Sequence, residues 1–525
     1  MRTVIFGADG LAFRVIHPFM ERGYMPNFRK LHEQGCEAVL ESKYPPLTPP
    51  AWTSLSTGVK PARHGVYDFW MYEEGHEAGV RKACVQTHRK GGKAIWNILS
   101  EYGKQVIILN VPITYPPEAV NGIMVSGYLT PSAEVEFTYP ASFKEELFRA
   151  VPDYKIDVNM HEIFMGKVET RVKRLVDATL ATTAGRIQLM TYLLKEKPWD
   201  FCYVVFVGPD RLQHSLWDEI VGFDPRVIEY YRMLDSALGV VLEQLKPEDA
   251  LFVVSDHGFQ GISRSFDINE YLYSKGLLKL HSSAQREKAS RRASVKHTLK
   301  ALGLYALSQK VKRSLKSAGI IKRRKGGIYT PTLTDIDLAH TLAYVPSMSG
   351  FGGGFADVFL DEKLSPQRIK ELCEDLRKQV DPATGQPLID EIFTTEAYGE
   401  GPYAPREKHL ILLPTDGITF AMGLGNRWLW NTTFTGRDTK KRRGSHQKDG
   451  VLYAYGGGIK RGYSAPNAEV CDLVPTVLRS MGLPLPHVFD GKILEDLFVE
   501  PGKQEQEAGA ESGLARRKLK RLLEV

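Results

Sequence analysis

The sequence predicts an α/β fold: a mostly parallel central sheet flanked by helices, carrying an inserted basic helical segment and a small α+β cap. Three observations predict it. Short apolar runs alternate with helical patterns through the first half of the chain, as expected when crossover helices link parallel strands. Three of those runs end in an aspartate. The composition changes near residue 282, and the alternating pattern returns after Gly444.

In chain order, residues 3–6, 105–109, 201–207 and 251–254 read as buried strands, because each is a continuous apolar run. Residues 94–102, 168–194 and 227–245 read as helices from their apolar spacing. Thr48 followed by Pro49 reads as a helix start, with Thr48 at the N-cap and the helix stopping at Gly58. Residues 366–380 read as a further helix ahead of the turn Asp381-Pro382-Ala383-Thr384-Gly385, beside short apolar runs such as 410–413. Residues 451–455 read as a returning strand, and 472–481 as a helix stopped by Gly482 and Pro484. The expected division is a core over 1–280 and 441–500, a basic helical insertion over 281–330, an α+β cap over 331–440 and a polar tail over 501–525.

At 525 residues, 43% hydrophobic and 25% charged, the chain is long and apolar enough to bury a large core, which excludes global disorder. Five cysteines, widely spaced and odd in number, argue against a disulfide framework and for a reducing compartment. The apolar part of the N-terminus is too short for a secretion signal, and no stretch is long enough to span a bilayer. The expectation is a soluble cytoplasmic protein. The net charge of +7 is uneven: between Arg286 and Lys325 there are fourteen Lys or Arg against the single acid Glu287, so the rest is net acidic. Val295, Leu299, Leu302 and Ala306 share one helical face there. The segment reads as a solvated helical cap or as a contact for an anionic lipid or membrane surface.

The strand ends carry the chemistry. Ser255-Asp256-His257-Gly258 follows the run 251–254, and by itself it reads as a solvated turn. Asp9 and Asp210 also follow apolar runs. In a parallel sheet the three carboxylates gather at one edge, where they repel unless a cation joins them. Asp210 and His214 are four apart behind Pro209, one helical turn if a helix opens there, and form either a chelating pair or a surface ion pair. His446, in Gly444-Ser445-His446, stands before the strand at 451 and reads alone as a loop histidine. Thr48 at a helix start lies where the dipole and unpaired backbone N–H groups favour an anion. A neighbouring cation would make its hydroxyl a nucleophile.

Asp9, Thr48 with Thr57-Gly58 and His64-Gly65, Asp210 with His214, Asp256-His257-Gly258 and Gly444-Ser445-His446 occur in an order that resembles the alkaline phosphatase superfamily. The resemblance is to its type I phosphodiesterase/nucleotide pyrophosphatase branch. Asp472-Leu473-Val474-Pro475-Thr476 with Asp490-Gly491 resembles the closing element of that superfamily. The likeness covers about 1–275 and 440–500, and implies an alkaline phosphatase-like sheet. It implies that Asp9, Thr48, Asp256 and His257 hold one divalent metal ion, and that Asp210, His214 and His446 hold a second. Two zinc ions suit this donor set, with manganese as the alternative.

The activity implied is hydrolysis of a small-molecule phosphate ester, of the phosphodiesterase/nucleotide pyrophosphatase type. It runs through a phosphothreonine at Thr48, between two cations about 4 Å apart. One departure stands out. Nucleotide pyrophosphatases carry Asn three residues after the nucleophile, to help hold a phosphoryl oxygen, and Ala51 occupies that position here. The alternatives are a phosphomonoesterase or a phosphoryl transferase/mutase on the same site, or a membrane-surface binding protein with a vestigial core. No nucleic-acid partner is expected. A sulfatase is excluded because Thr48 cannot become formylglycine. A serine hydrolase lacks its GxSxG elbow, and no Walker loop is present.

Overall fold

A ten-stranded sheet organises the molecule. The structure is a computed structural model, describing residues 1–42, 45–72, 81–84, 91–165, 170–282, 335–346, 354–405, 408–424, 429–431 and 443–499. The basic segment 286–325, the helices expected within it and the tail after 500 lie outside the described residues.

Five strands form the parallel centre of the sheet, in the order Ala250–Val254, Thr3–Ala8, Phe201–Phe206, Val106–Leu109 and Gly122–Val125. The first four of these are fully buried, as their unbroken apolar runs require. Asp449–Gly456 then joins Ala250–Val254 antiparallel, and Cys36–Glu41 follows it. The fold is therefore α/β with a mostly parallel central sheet between helices, as expected.

The helices match the periodic segments to within a few residues at each end, where caps and frayed turns decide the boundary. They are Ile95–Glu101, Arg171–Glu196, Pro225–Gln244, Pro366–Arg377 and Leu473–Ser480. Two apolar clusters fill the two faces of the sheet. Phe6, Val204 and Leu238 belong to one, and Ile5, Trp52 and Tyr203 to the other.

A smaller antiparallel sheet has the order Ala343–Tyr344, Ala356–Leu360, Lys408–Pro414, Ile389–Thr394. Its strand Lys408–Pro414 is buried on both sides. Leu410 and Leu412 pack with Val358 and Leu376 in a third cluster, while Ile411 and Leu413 join the cluster around Trp52. The alternation of side chains along one strand thus fastens the small sheet to the large one. Among the described residues no helix is long and apolar enough to cross a membrane.

Candidate active site

Register and turns bring the predicted residues to one edge of the large sheet. Thr3–Ala8, Phe201–Phe206 and Ala250–Val254 run parallel, so Asp9, Asp210 and Asp256 lie beyond the same ends. The backbone ties them further: Asp210 N–H donates to Asp9 O at 3.0 Å. The helix Gly208–Val221 opens just before Asp210, as Pro209 predicted, and sets Asp210 and His214 one turn apart.

Asp256 and His257 can both face the site because the strand ends at Val254. A bend carries the chain into a second strand, Gly258–Asp267. That strand pairs antiparallel with Gly444–Gln447, opposing Phe259 to His446. His446 is therefore a strand residue, where its sequence neighbourhood suggested a loop. The pairing that fixes it is long-range, which no local pattern announces.

Two half-sites result. In one, His257 Nε2 lies 3.2 Å from Asp256 Oδ2 and 3.7 Å from Asp9 Oδ1. In the other, His446 Nε2 lies 3.0 Å from Asp210 Oδ1 and 3.1 Å from His214 Nε2. The imidazoles of His257 and His446 stack with centroids 3.6 Å apart and join the halves. Asp9, Asp210, Asp256, His257 and His446 are buried; His214 is partly exposed.

Each carboxylate commits one oxygen to a protein donor. Trp52 Nε1 donates to Asp9 Oδ2 at 3.1 Å, Gly10 N–H to Asp256 Oδ1 at 3.1 Å, and Arg211 Nη1 to Asp210 Oδ2 at 3.1 Å. Each imidazole commits Nδ1 to a carbonyl, which can only accept: His257 to Gly258 O, His214 to Gly444 O and His446 to Pro46 O. The opposite atoms all face the cluster. Asp9 Oδ1, Asp256 Oδ2 and His257 Nε2 are buried without a hydrogen-bond partner among the described residues. Orphaned inward atoms on oriented His and Asp side chains are the donor set a divalent cation requires. Asp9, Asp256 and His257 could hold one cation, and Asp210, His257 and His446 lie close enough together to serve another.

The electrostatics agree. Burial and then repulsion from Asp210 raise the Asp9 carboxyl well above its ordinary range; burial and then Asp9 do the same to Asp256. Burial and then His446 push the His257 imidazole well below its usual value. Asp210 moves the other way: burial would raise it, but His214 and His446 hold it well below. A cation placed between them removes the cost of ionising Asp9 and Asp256.

Thr48 is buried and lies on the helix Thr48–Thr57. The contacts on either side of it reach both half-sites: Pro46 O meets His446, and Trp52 meets Asp9. The helix start departs from expectation in two ways. Leu47, with φ −137° and ψ 135°, is the N-cap and Thr48 already has a helical position, so the end carries no side-chain cap. Pro49 and Pro50 lack N–H groups, and Ala51 N–H bonds Leu47 O at 3.1 Å. The backbone donors expected for an anion are thus mostly absent, leaving the dipole and Thr48.

His64 and Gly58 act as supports for this helix. His64 Nε2 lies 3.0 Å from Ser54 Oγ. Gly58 has φ +67°, and a Cβ there would stand 2.6 Å from Phe489. Asp490 and Gly491 both donate their N–H to Gly58 O, while Asp490 accepts from Lys60 N–H and Arg63. Asp472 accepts from Lys492 N–H and Glu469 N–H, tying the closing element down. Lys60 and Arg63 are engaged in this clamp, not in the site.

Sequence reasoning missed Trp52, Arg211 and Asp157. Trp52 is one turn after Thr48, a spacing that could have placed it on the same face. Gly7 makes room for it, since a Cβ there would lie 2.6 Å from the indole. Arg211, adjacent to Asp210, is held by Asp157 Oδ2 at 2.8 Å and lies over the Tyr128 ring. Nothing in sequence links Asp157 to this pair.

Comparison with known proteins follows the same line. Residues 3–350 match the family described as type I phosphodiesterase / nucleotide pyrophosphatase. The chain belongs to this family. It is therefore a phosphoester hydrolase of the metal-dependent alkaline phosphatase superfamily. Among solved structures, human ectonucleotide pyrophosphatase / phosphodiesterase 5 is similar at 12% identity and TM-score 0.50, over 95% of this chain and 100% of that one. Phosphonoacetate hydrolase from Sinorhizobium meliloti 1021, in complex with phosphonoacetate, is similar at 13% identity and TM-score 0.56, over 90% and 94%. At these identities the likeness is one of fold. No curated protein sequence matches.

Proposed function

We propose that this chain hydrolyses small-molecule phosphate esters, diesters foremost, with the Thr48 hydroxyl as nucleophile and a covalent phosphothreonine intermediate. Asp9, Thr48, Asp256 and His257 would hold one divalent cation, and Asp210, His214 and His446 the second. Zinc suits the mixed carboxylate and imidazole donors, with manganese as the alternative. When bound, such a pair lowers the pKa of a hydroxyl and stabilises the attacking and leaving oxygens of an in-line displacement.

The residues supply orientation. Trp52, Gly10 and Arg211 fix which oxygen each carboxylate turns inward, and three backbone carbonyls fix the imidazole tautomers. Asp157 balances the partly buried Arg211, so its charge orients Asp210 and is not left uncompensated. The observation that carries the reading is this shared orientation: the inward atoms of six side chains converge, and those buried in Asp9, Asp256 and His257 have no hydrogen-bond partner among the described residues.

Ala51, buried in the first turn, offers no side-chain donor to a phosphoryl oxygen. It favours a phosphate ester other than a nucleotide. The test is hydrolysis of aryl phosphodiesters and aryl phosphates by the wild type and Thr48→Ala, with bound metal measured in both. The reading expects Thr48→Ala to be folded, metal-bound and inactive. Retained turnover in that variant would exclude Thr48 as nucleophile.

A further inference from the structure

A second histidine–carboxylate group lies away from the catalytic edge. His17 is on the helix Phe13–Glu21, His32 on the helix Pro26–Gln34, and Glu37 on the strand Cys36–Glu41. Three elements that follow the Asp9 loop thus converge on one point of the surface. His32 Nδ1 lies 2.8 Å from Glu37 Oε2 and His17 Nε2 lies 3.6 Å from the same oxygen. One ligand atom from each residue lies within 4.8 Å of the others. Glu37 pairs with Tyr453 in the register that pairs Glu41 with Asp449. It therefore sits four residues, roughly 13 Å, back along the strand from the catalytic end.

We propose that His17, His32 and Glu37 form a third cation site, selective for a borderline divalent ion of the zinc class, with its fourth position open to water. The spacing fits. A tetrahedral ion with bonds of about 2.0–2.1 Å needs ligand atoms about 3.3 Å apart, and the two distances to Glu37 bracket that value. Two imidazoles and one carboxylate favour zinc over calcium or magnesium, which take oxygen ligands. The His17 and His32 side chains are 38% and 44% exposed, so an ion can enter and exchange from solvent. Ser464 Oγ, 3.4 Å from Glu37 Oε1, stands beside the group as an outer hydrogen-bonding partner, while an ion on His17 Nε2 would displace the Tyr453 hydroxyl that lies 3.4 Å from that nitrogen. A bound ion would brace the two helices against the strand, directly behind the loop that carries Asp9.

The test compares zinc content of the full wild-type chain and His17→Gln/His32→Gln after dialysis against zinc at a fixed free concentration. The variant should bind one equivalent less and keep its phosphodiesterase activity. Equal zinc content in the two proteins overturns the site. Glu37→Gln provides a second variant should the double one fold poorly, with the same one-equivalent loss expected. The difference between proteins decides this proposal; the activity and metal content of Thr48→Ala decide the catalytic reading separately.

Discussion

The large central sheet and the small antiparallel sheet around Lys408–Pro414 follow opposite rules. In the large one, parallel strands are buried on both faces, and chemistry-bearing residues collect beyond their ends. In the small one, antiparallel strands alternate: Ala356, Val358 and Leu360 are buried while Asp357 and Phe359 between them are partly exposed. Parallel pairing forces every strand to start its return from the same edge, so strand-to-helix turns such as Gly208-Pro209-Asp210 converge. Antiparallel pairing has no such edge, and its alternation divides each strand between two packing surfaces. Costly buried carboxylates therefore gather in the large sheet, and the small one contributes apolar area. Substitutions at the edge should move catalysis, and substitutions in the small sheet should move stability.

Thr48→Ala separates them most sharply. Loss of a nucleophile should reduce hydrolysis on the order of 10⁴-fold or more, with little change in melting temperature. Removal of divalent cations by a chelator should come next. It should abolish activity and lower the melting temperature, because Asp9, Asp210 and Asp256 are left facing one another. Readdition of zinc at 100 times a site's dissociation constant should restore about 2.7 kcal/mol of stability for each site filled. Trp52→Phe keeps an aromatic side chain but removes the N–H on Asp9 together with part of a buried indole; metal affinity or turnover should fall about 10-fold, the usual scale for a partner that orients a metal ligand, with some loss of stability from the space left behind.

Leu412→Ala belongs to the other sheet. It should cost about 2–5 kcal/mol in a denaturant melt, as fully buried leucines do, while turnover of the folded fraction stays at the wild-type value. A stable Leu412→Ala protein with lost turnover would show that the small sheet shapes the site directly.

The sequence was most legible where one strong local cause acts. Unbroken apolar runs gave four of the five central strands, missing Gly122–Val125, whose run is short and only half buried, and the aspartates ending three of them placed Asp9, Asp210 and Asp256 at one edge. The spacing of Asp210 and His214 followed from a helix opened by Pro209. Long-range pairing was illegible. His446 acquired its strand from Gly258–Asp267, nearly two hundred residues earlier. Asp157 reaches the site only through Arg211. The position of Thr48 shifted by one residue because Leu47 takes the extended N-cap conformation. The docking of the small sheet depends on Ile411 and Leu413 meeting the cluster around Trp52, a contact set by packing rather than pattern.

The central claim is that Thr48 carries the phosphoryl group during turnover. Rapid acid quench of the zinc-loaded chain with an aryl phosphodiester, followed by mass spectrometry of the peptide containing Thr48, tests it directly. A phosphoester adduct on Thr48 at early times, absent from Thr48→Ala, is the predicted result. Full turnover with no adduct on that peptide, and activity retained in Thr48→Ala, would contradict it.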